Sequence, residues 1–251
     1  MSALLEMKDL AIRGQGRMLV DGVFIEVFAG KVTALCGPSG AGKSLTARAC
    51  MGVLDVLPGL ERGSLHYHAV GSQDWLAGAH KGGAGAHARL LRQTEHLRGS
   101  YLAYSPQAAS SALNPGRTIG RQMELAILRR LEPLKGHPGT VFVNLLEEVG
   151  LPPYAASALP GELSGGMCQR AALAVAMACD PKVLIADEPE TGLDPVLRRQ
   201  IVELLVTVGK AHSCGILLIS HHEDTVDRIA DTVVRLTPGG GGRPAPVGRA
   251  A

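Results

Sequence analysis

The octapeptide GPSGAGKS, Gly37 to Ser44, follows the continuous apolar run KVTALC and precedes a stretch of helix formers. That placement constrains the fold more than any other feature of the chain. A glycine loop between a buried strand and a helix gathers unpaired backbone N–H groups and the positive end of the helix dipole at one point. The pattern G-x-x-x-x-G-K-[ST] in that context is a phosphate-binding loop. Gly37, Pro38, Ser39, Gly40, Ala41 and Gly42 form its cradle, Lys43 adds a point charge for the β- and γ-phosphates of a nucleotide, and Ser44 supplies a hydroxyl for Mg²⁺.

The rest of the chain repeats the alternation of strand and helix. LLEMKDLAI and GVFIEVF alternate apolar and polar residues and read as half-buried strands. VLIADE and GILLIS are apolar runs of the kind found in parallel sheets, and YLAYS reads as another short strand. From about Ile119 to Gly150 the pattern is helical, interrupted by KGHPG, while Gly71 to His87, rich in Gly and Ala, reads as a surface loop. TPGGGGRPAPVGRAA has no apolar pattern and is expected to be a flexible tail over 237–251. The whole implies an α/β fold with a mostly parallel sheet.

Composition excludes several functions. At 251 residues and 46% apolar, the chain has the material for one compact domain, or a core with a smaller lobe. A net charge of +2 without a basic block, and 3% aromatics, argue against a nucleic-acid partner. The five cysteines, Cys36, Cys50, Cys168, Cys179 and Cys214, have no C-x-x-C spacing and read as reduced thiols. AALAVAMAC is too short to span a bilayer, and MSALLEMKDLAI lacks the basic and apolar blocks of a signal peptide, so the chain is expected in the cytoplasm.

VLIADEP places Asp187 at a strand end, where it is suited to hold Mg²⁺, and Glu188 beside it, where it is suited to orient or deprotonate an attacking water. LPGELSGGMCQR raises a separate question, because it looks like a second helix start built for an anion, with Ser164 as N-cap and then Gly165 and Gly166.

GPSGAGKS, LSGGMCQR, VLIADEP, TGLDP and ISHH, in that order and spacing, resemble the ATP-binding subunits of ABC transporters over roughly Leu4 to Leu236. The resemblance implies a RecA-like P-loop NTPase core with an N-terminal antiparallel β part and a helical subdomain at about 107–163, forming a single nucleotide-binding domain over 4–236. It also answers the question of the second anion site. In that family two ATPase subunits face each other, so Ser164, Gly165 and Gly166 of one chain would close over the ATP on the phosphate loop of the other. Gln107 matches the glutamine that contacts Mg²⁺ and the attacking water, joining Ser44 and Asp187 as a metal ligand. Asp194 matches the aspartate at the dimer interface, and His221 the histidine that reads the γ-phosphate. ATP and Mg²⁺ are the implied cofactors.

Three positions depart from the family pattern. RGQGRMLVDG has no aromatic residue to stack on adenine, so either Arg17 or Met18 packs there or adenine is held weakly; Glu190 brings an extra carboxylate toward the phosphates unless it faces away; and Cys168 replaces what is often a basic residue. SALNP and GELSGGMCQR resemble the peptide and nickel importer branch, most of all the first ATPase of nickel importers. The family's longer peptide-importer ATPases extend well beyond the stretch that ends here near Leu236, which favours the nickel side. The implied partners are a second, different ATPase subunit, two membrane permease subunits and, indirectly, an external binding protein. The implied location is peripheral, at the cytoplasmic face of the inner membrane. His66 and His68 share a strand face, yet two ligands are too few for a nickel site. The alternatives are a di- or oligopeptide importer, a soluble ABC-type ATPase, a regulatory subunit that closes without hydrolysis, and a P-loop small-molecule kinase, which would explain neither LSGG nor His221.

Overall fold

The computed structural model describes residues 3–80, 82–107, 109–134 and 136–247. It divides into two compact units, Met1–His96 with Gly215–Ala251, and Leu97–Cys214.

In the first unit, β1 (Leu5–Gly14) and β2 (Arg17–Val27) form an antiparallel hairpin closed by Gln15 and Gly16, both in the left-handed region that two-residue hairpin turns require. β4 (Pro58–Tyr67) pairs antiparallel with the other edge of β1, completing the expected N-terminal β part. β3 (Val32–Cys36) is buried at every position and leads through the glycine loop into α1 (Lys43–Ala49). β7 (Gly215–Ile219) and β8 (Thr232–Arg235), separated by α8 (Glu223–Ile229), flank β3 in parallel register, with Leu35 opposite both Ile219 and Val234. The Tyr67 hydroxyl donates to the Cys50 carbonyl at 2.8 Å and ties β4 to the end of α1.

Two expectations fail in this unit. Part of the Gly- and Ala-rich stretch is helical, because α2 (Gly83–Gln93) starts inside it and buries Ala86, His87 and Leu90. The tail is also structured before residue 248. β9 (Pro244–Pro246) pairs antiparallel with β8, while Gly240 and Gly242 accept hydrogen bonds from the backbone N–H groups of Asp21 and Phe24 in β2. The Arg243 guanidinium lies 4.6 Å above the Phe24 ring. Glycine here permits close approach: a Cβ on Gly241 would sit 2.1 Å from the Asp21 carbonyl oxygen. Residues 248–251 of the expected tail lie outside the described residues.

In the second unit, β5 (Leu102–Ser105) and β6 (Val183–Asp187) pair in parallel. Between them every described element is helical: α3 (Ala109–Ala112), α4 (Ile119–Ile127), α5 (Pro138–Glu148), the 3₁₀ turns Pro153–Ser157 and Pro160–Glu162, and α6 (Gly165–Ala178). α7 (Pro195–Ala211) follows β6. The SALNP segment is held by the Gln122 side chain, which accepts from Asn114 N and donates to the carbonyls of Asn114 and Arg117. Among the described residues no helix is long and apolar enough to cross a membrane.

Two stability predictions follow from the first unit. Gly241→Ala is expected to lower stability by about 1–3 kcal/mol, the usual penalty for forcing atoms into a packed site. Gly71→Ala, where a Cβ meets nothing within 4 Å, should leave the urea midpoint unchanged. The His87 ring is buried against Gly59, and that burial lowers its pKa from 6.5. The unfolded chain therefore takes up this proton first, so the contribution of neutral His87 is intact above pH 6.5 and is lost as pH falls below it. Unfolding free energies measured from pH 7.5 to 5 should fall, and part of that slope should disappear in His87→Gln.

Candidate functional site

The first unit brings together the phosphate loop and His221 at the carboxyl ends of adjacent parallel strands. Gly42, the residue before α1, has φ +91, and a Cβ there would lie 2.5 Å from Val20 Cγ2, so only glycine fits on both counts. Lys43 is only 7% exposed, and its ammonium donates to the carbonyls of Gly37 at 2.9 Å and Pro38 at 3.1 Å. It is thus held over the loop whose N–H groups an anion would meet. Burial pushes the Cys36 thiol, the last residue of β3, up to about 11, so it stands next to the loop as a neutral thiol.

His221 is the second residue after β7, and the Ser220 N–H bonds back to the Leu35 carbonyl, the register that sets the histidine beside the end of β3. The His221 ring is exposed and lies 4.0 Å from that of His222, centroid to centroid, at 42°. His66 and His68 stack at 6.0 Å, with His68 Nε2 3.5 Å from Glu6. Among the described residues no group of three or more His, Cys, Asp or Glu side chains is gathered as a metal would need.

The second unit gathers Gln107, Asp187 and Glu188 by the same device. Ser105 lies opposite Ala186, so the residues after β5 and β6 emerge side by side. Gln107 Nε2 donates to Glu188 Oε2 and to Thr191 Oγ1, each at 3.3 Å, and Thr191 Oγ1 donates to Glu188 Oε2 at 3.3 Å. The Tyr104 hydroxyl donates to Asp187 Oδ2 at 3.0 Å. Asp187 is buried and Glu188 half-buried, and Glu188 has φ +46, a region L residues adopt at a cost of about 1–3 kcal/mol. Glu190 is wholly buried, so its side chain is packed inside the protein and does not stand exposed among the loops.

Sequence reasoning missed Tyr104 and Thr191. The signal for Thr191 was local, a hydroxyl three residues after Glu188; that for Tyr104 required knowing that β5 pairs with β6.

The remaining expected residues sit at two helix starts. Ser164 caps α6, its Oγ accepting from Met167 N at 3.3 Å. Asp194 caps α7, its Oδ1 accepting from Val196 N at 2.9 Å and Leu197 N at 3.1 Å, so the carboxylate is committed to its own helix. Cys168 donates its thiol proton to the Pro160 carbonyl at 3.1 Å, and Arg170 donates to the Val149 carbonyl at the end of α5, so the turns after LSGG are anchored from inside. Gly165 and Gly166 are exposed, do not have positive φ, and a Cβ on either would meet nothing within 4 Å.

A family model described as ABC transporter matches residues 20–191. The nickel import ATP-binding protein NikD of Rhodospirillum rubrum is 36% identical over 234 residues, covering 92% of this chain and 81% of that protein. The oligopeptide transport ATP-binding protein OppD of Bacillus subtilis is 32% identical over 243 residues, and the chain spans 94% of itself but only 64% of that relative's length. A solved ATP-binding subunit of an ABC transporter superposes with a TM-score of 0.72 at 27% identity, covering 97% of this chain and 90% of that one.

Proposed function

The chain belongs to the ABC transporter family, and from that premise we propose that it is the ATP-hydrolysing subunit of an importer. It couples ATP binding and hydrolysis to uptake of nickel or a metal chelate across the cytoplasmic membrane, working at the inner face of that membrane. The observation that carries this reading is the contrast between its two sets of glycines. Gly42 is required by the chain's own backbone and packing, as a preformed phosphate cradle needs. Gly165 and Gly166 answer no internal need, and at the exposed start of α6 they leave the first N–H groups of that helix open to close approach by an anion. A nucleotide held by a facing ATPase subunit fits that space.

In this reading Lys43 neutralises charge on the β- and γ-phosphates while Gly37 to Gly42 offer backbone N–H groups. Glu188 orients or deprotonates the attacking water, Gln107 positions that water, and His221 reads the γ-phosphate. Asp194 fixes the start of α7 at the interface with the second ATPase subunit. Ser44, Gln107 and Asp187 are hard oxygen donors, the set that suits Mg²⁺ and not a thiophilic metal. Such an ion, when bound, offsets charge on the phosphate oxygens. ATP closes the two ATPase subunits because it binds the closed pair better, and closure drives the two membrane permease subunits, with an external binding protein delivering the cargo. Adenine rests on Arg17 or Met18.

Nickel uptake is supported by the nickel import relative at 36% identity. The second reading, a peptide importer, is supported by the oligopeptide relative.

Gly166→Ala separates a structural role from a contact role. Alanine favours helix and meets no neighbour, so the melting temperature should hold or rise slightly. ATP turnover should nevertheless fall about tenfold or more, since a misplaced phosphate is costly. Loss of melting temperature with turnover intact would remove the argument from the open glycines. For the transport assignment, uptake of labelled nickel and a labelled dipeptide is compared in cells carrying wild type, Lys43→Ala or Glu188→Gln. Collapse of nickel uptake alone, with ATPase activity down about 10²-fold or more in Glu188→Gln, is the expected result. Collapse of dipeptide uptake alone would transfer the cargo to peptides, and turnover intact in Glu188→Gln would exclude it as the base.

A further inference from the structure

Each carboxylate of the Asp187–Glu188 pair has a hydroxyl of its own. The Tyr104 hydroxyl donates to Asp187 Oδ2 at 3.0 Å, and Thr191 Oγ1 to Glu188 Oε2 at 3.3 Å. The two donors arrive by different routes. Tyr104 lies on β5 opposite Ile185 of β6, so Asp187, two residues further along the same face, is its diagonal neighbour, within reach of a long aromatic side chain. Thr191 lies in the turn after β6, where its own N–H also bonds the Glu188 carbonyl at 3.1 Å, so one residue holds both ends of Glu188. Gln107 then bridges Thr191 and Glu188, while the Tyr104 hydroxyl goes to Asp187.

A hydroxyl donated to one carboxylate oxygen fixes the rotation of the group and so the direction in which its other oxygen is presented. The two carboxylates have different duties in the function proposed above, and this inference rests on that reading. We propose that Tyr104 and Thr191 are positioning residues with separate tasks: Tyr104 orients Asp187 toward the metal, and Thr191 orients Glu188 toward the attacking water. Neither acts on the nucleotide itself.

The separation makes each variant a control for the other. Mn²⁺ binding to the full chain is followed by electron paramagnetic resonance with a non-hydrolysable ATP analogue, alongside steady-state ATP hydrolysis at saturating Mg²⁺. Tyr104→Phe removes one oxygen and is expected to weaken Mn²⁺ binding about 10–100-fold, the usual loss when a ligand's supporting hydrogen bond is removed. Thr191→Val takes away one of the two acceptors that hold Gln107, so it should weaken Mn²⁺ binding less than Tyr104→Phe does, and it should lower kcat about tenfold or more with the KM for ATP unchanged. Thr191→Ser, which keeps the hydroxyl, should recover most of that kcat. Wild-type Mn²⁺ affinity in Tyr104→Phe, or a Thr191→Ser variant as slow as Thr191→Val, overturns the corresponding assignment. Asp187→Asn distinguishes the two levels of the argument. If it abolishes Mn²⁺ binding and Tyr104→Phe does not weaken it, only the Tyr104 assignment fails. If Asp187→Asn itself binds Mn²⁺ normally, the metal role of Asp187 fails and the Tyr104 assignment with it.

Discussion

A strand paired in parallel cannot return to its neighbour through a tight hairpin; it must pass the chain to a crossover and come back from the other end. Parallel strands therefore all release their chain at the same edge, and the chemistry of this protein is organised by that constraint. In the first unit β3 and β7 are parallel neighbours, so the phosphate loop and His221 emerge together. In the second unit β5 and β6 are parallel neighbours, so Gln107 emerges beside Asp187 and Glu188. Residues far apart in sequence reach one another because two hydrogen-bonded registers put them there, and only then because of their own side-chain contacts.

Within that frame, burial divides the tasks of similar groups. Lys43 is buried and held by the carbonyls of its own loop, which keeps a long flexible side chain near one place. Asp187 and Glu188 are adjacent in sequence, yet the first ends a buried strand while the second has already turned into the left-handed region. A hydroxyl reaches each of the two carboxylates, that of Tyr104 to Asp187 and that of Thr191 to Glu188.

Much of this was legible in the sequence because each motif is short and tied to the boundary of one element. KVTALC before GPSGAGKS, VLIAD before E, and GILLIS before HH each announce a strand end and a chemical group together. What was not legible depended on context beyond a short window. α2 was missed because its first residues, Gly83 to His87, share the composition of the loop before them; its period appears only when HARLLRQ is read with them. The glycines near the C-terminus were read as freedom to move, whereas Gly241 serves the other use of glycine, backbone approach too close for any Cβ. Tyr104 finds its partner 83 residues away, a contact defined by strand register and by no local pattern.

The turn from Glu188 to Asp194 shows why a strained conformation persists at the site. Thr191 N bonds to the Glu188 carbonyl and Leu193 N to the Glu190 carbonyl, the Glu190 side chain is wholly buried, and Asp194 caps the first turn of α7. Each of these contacts fixes a successive residue, so relaxing φ at Glu188 would require breaking the next bond, and then the one after it. A cost of about 1–3 kcal/mol at one residue is tolerated when several hydrogen bonds, each contributing about 0.5–1.5 kcal/mol, hold the surrounding turn in place. The direction of the Glu188 carboxylate and the start of α7 are therefore set by one continuous hydrogen-bonded turn.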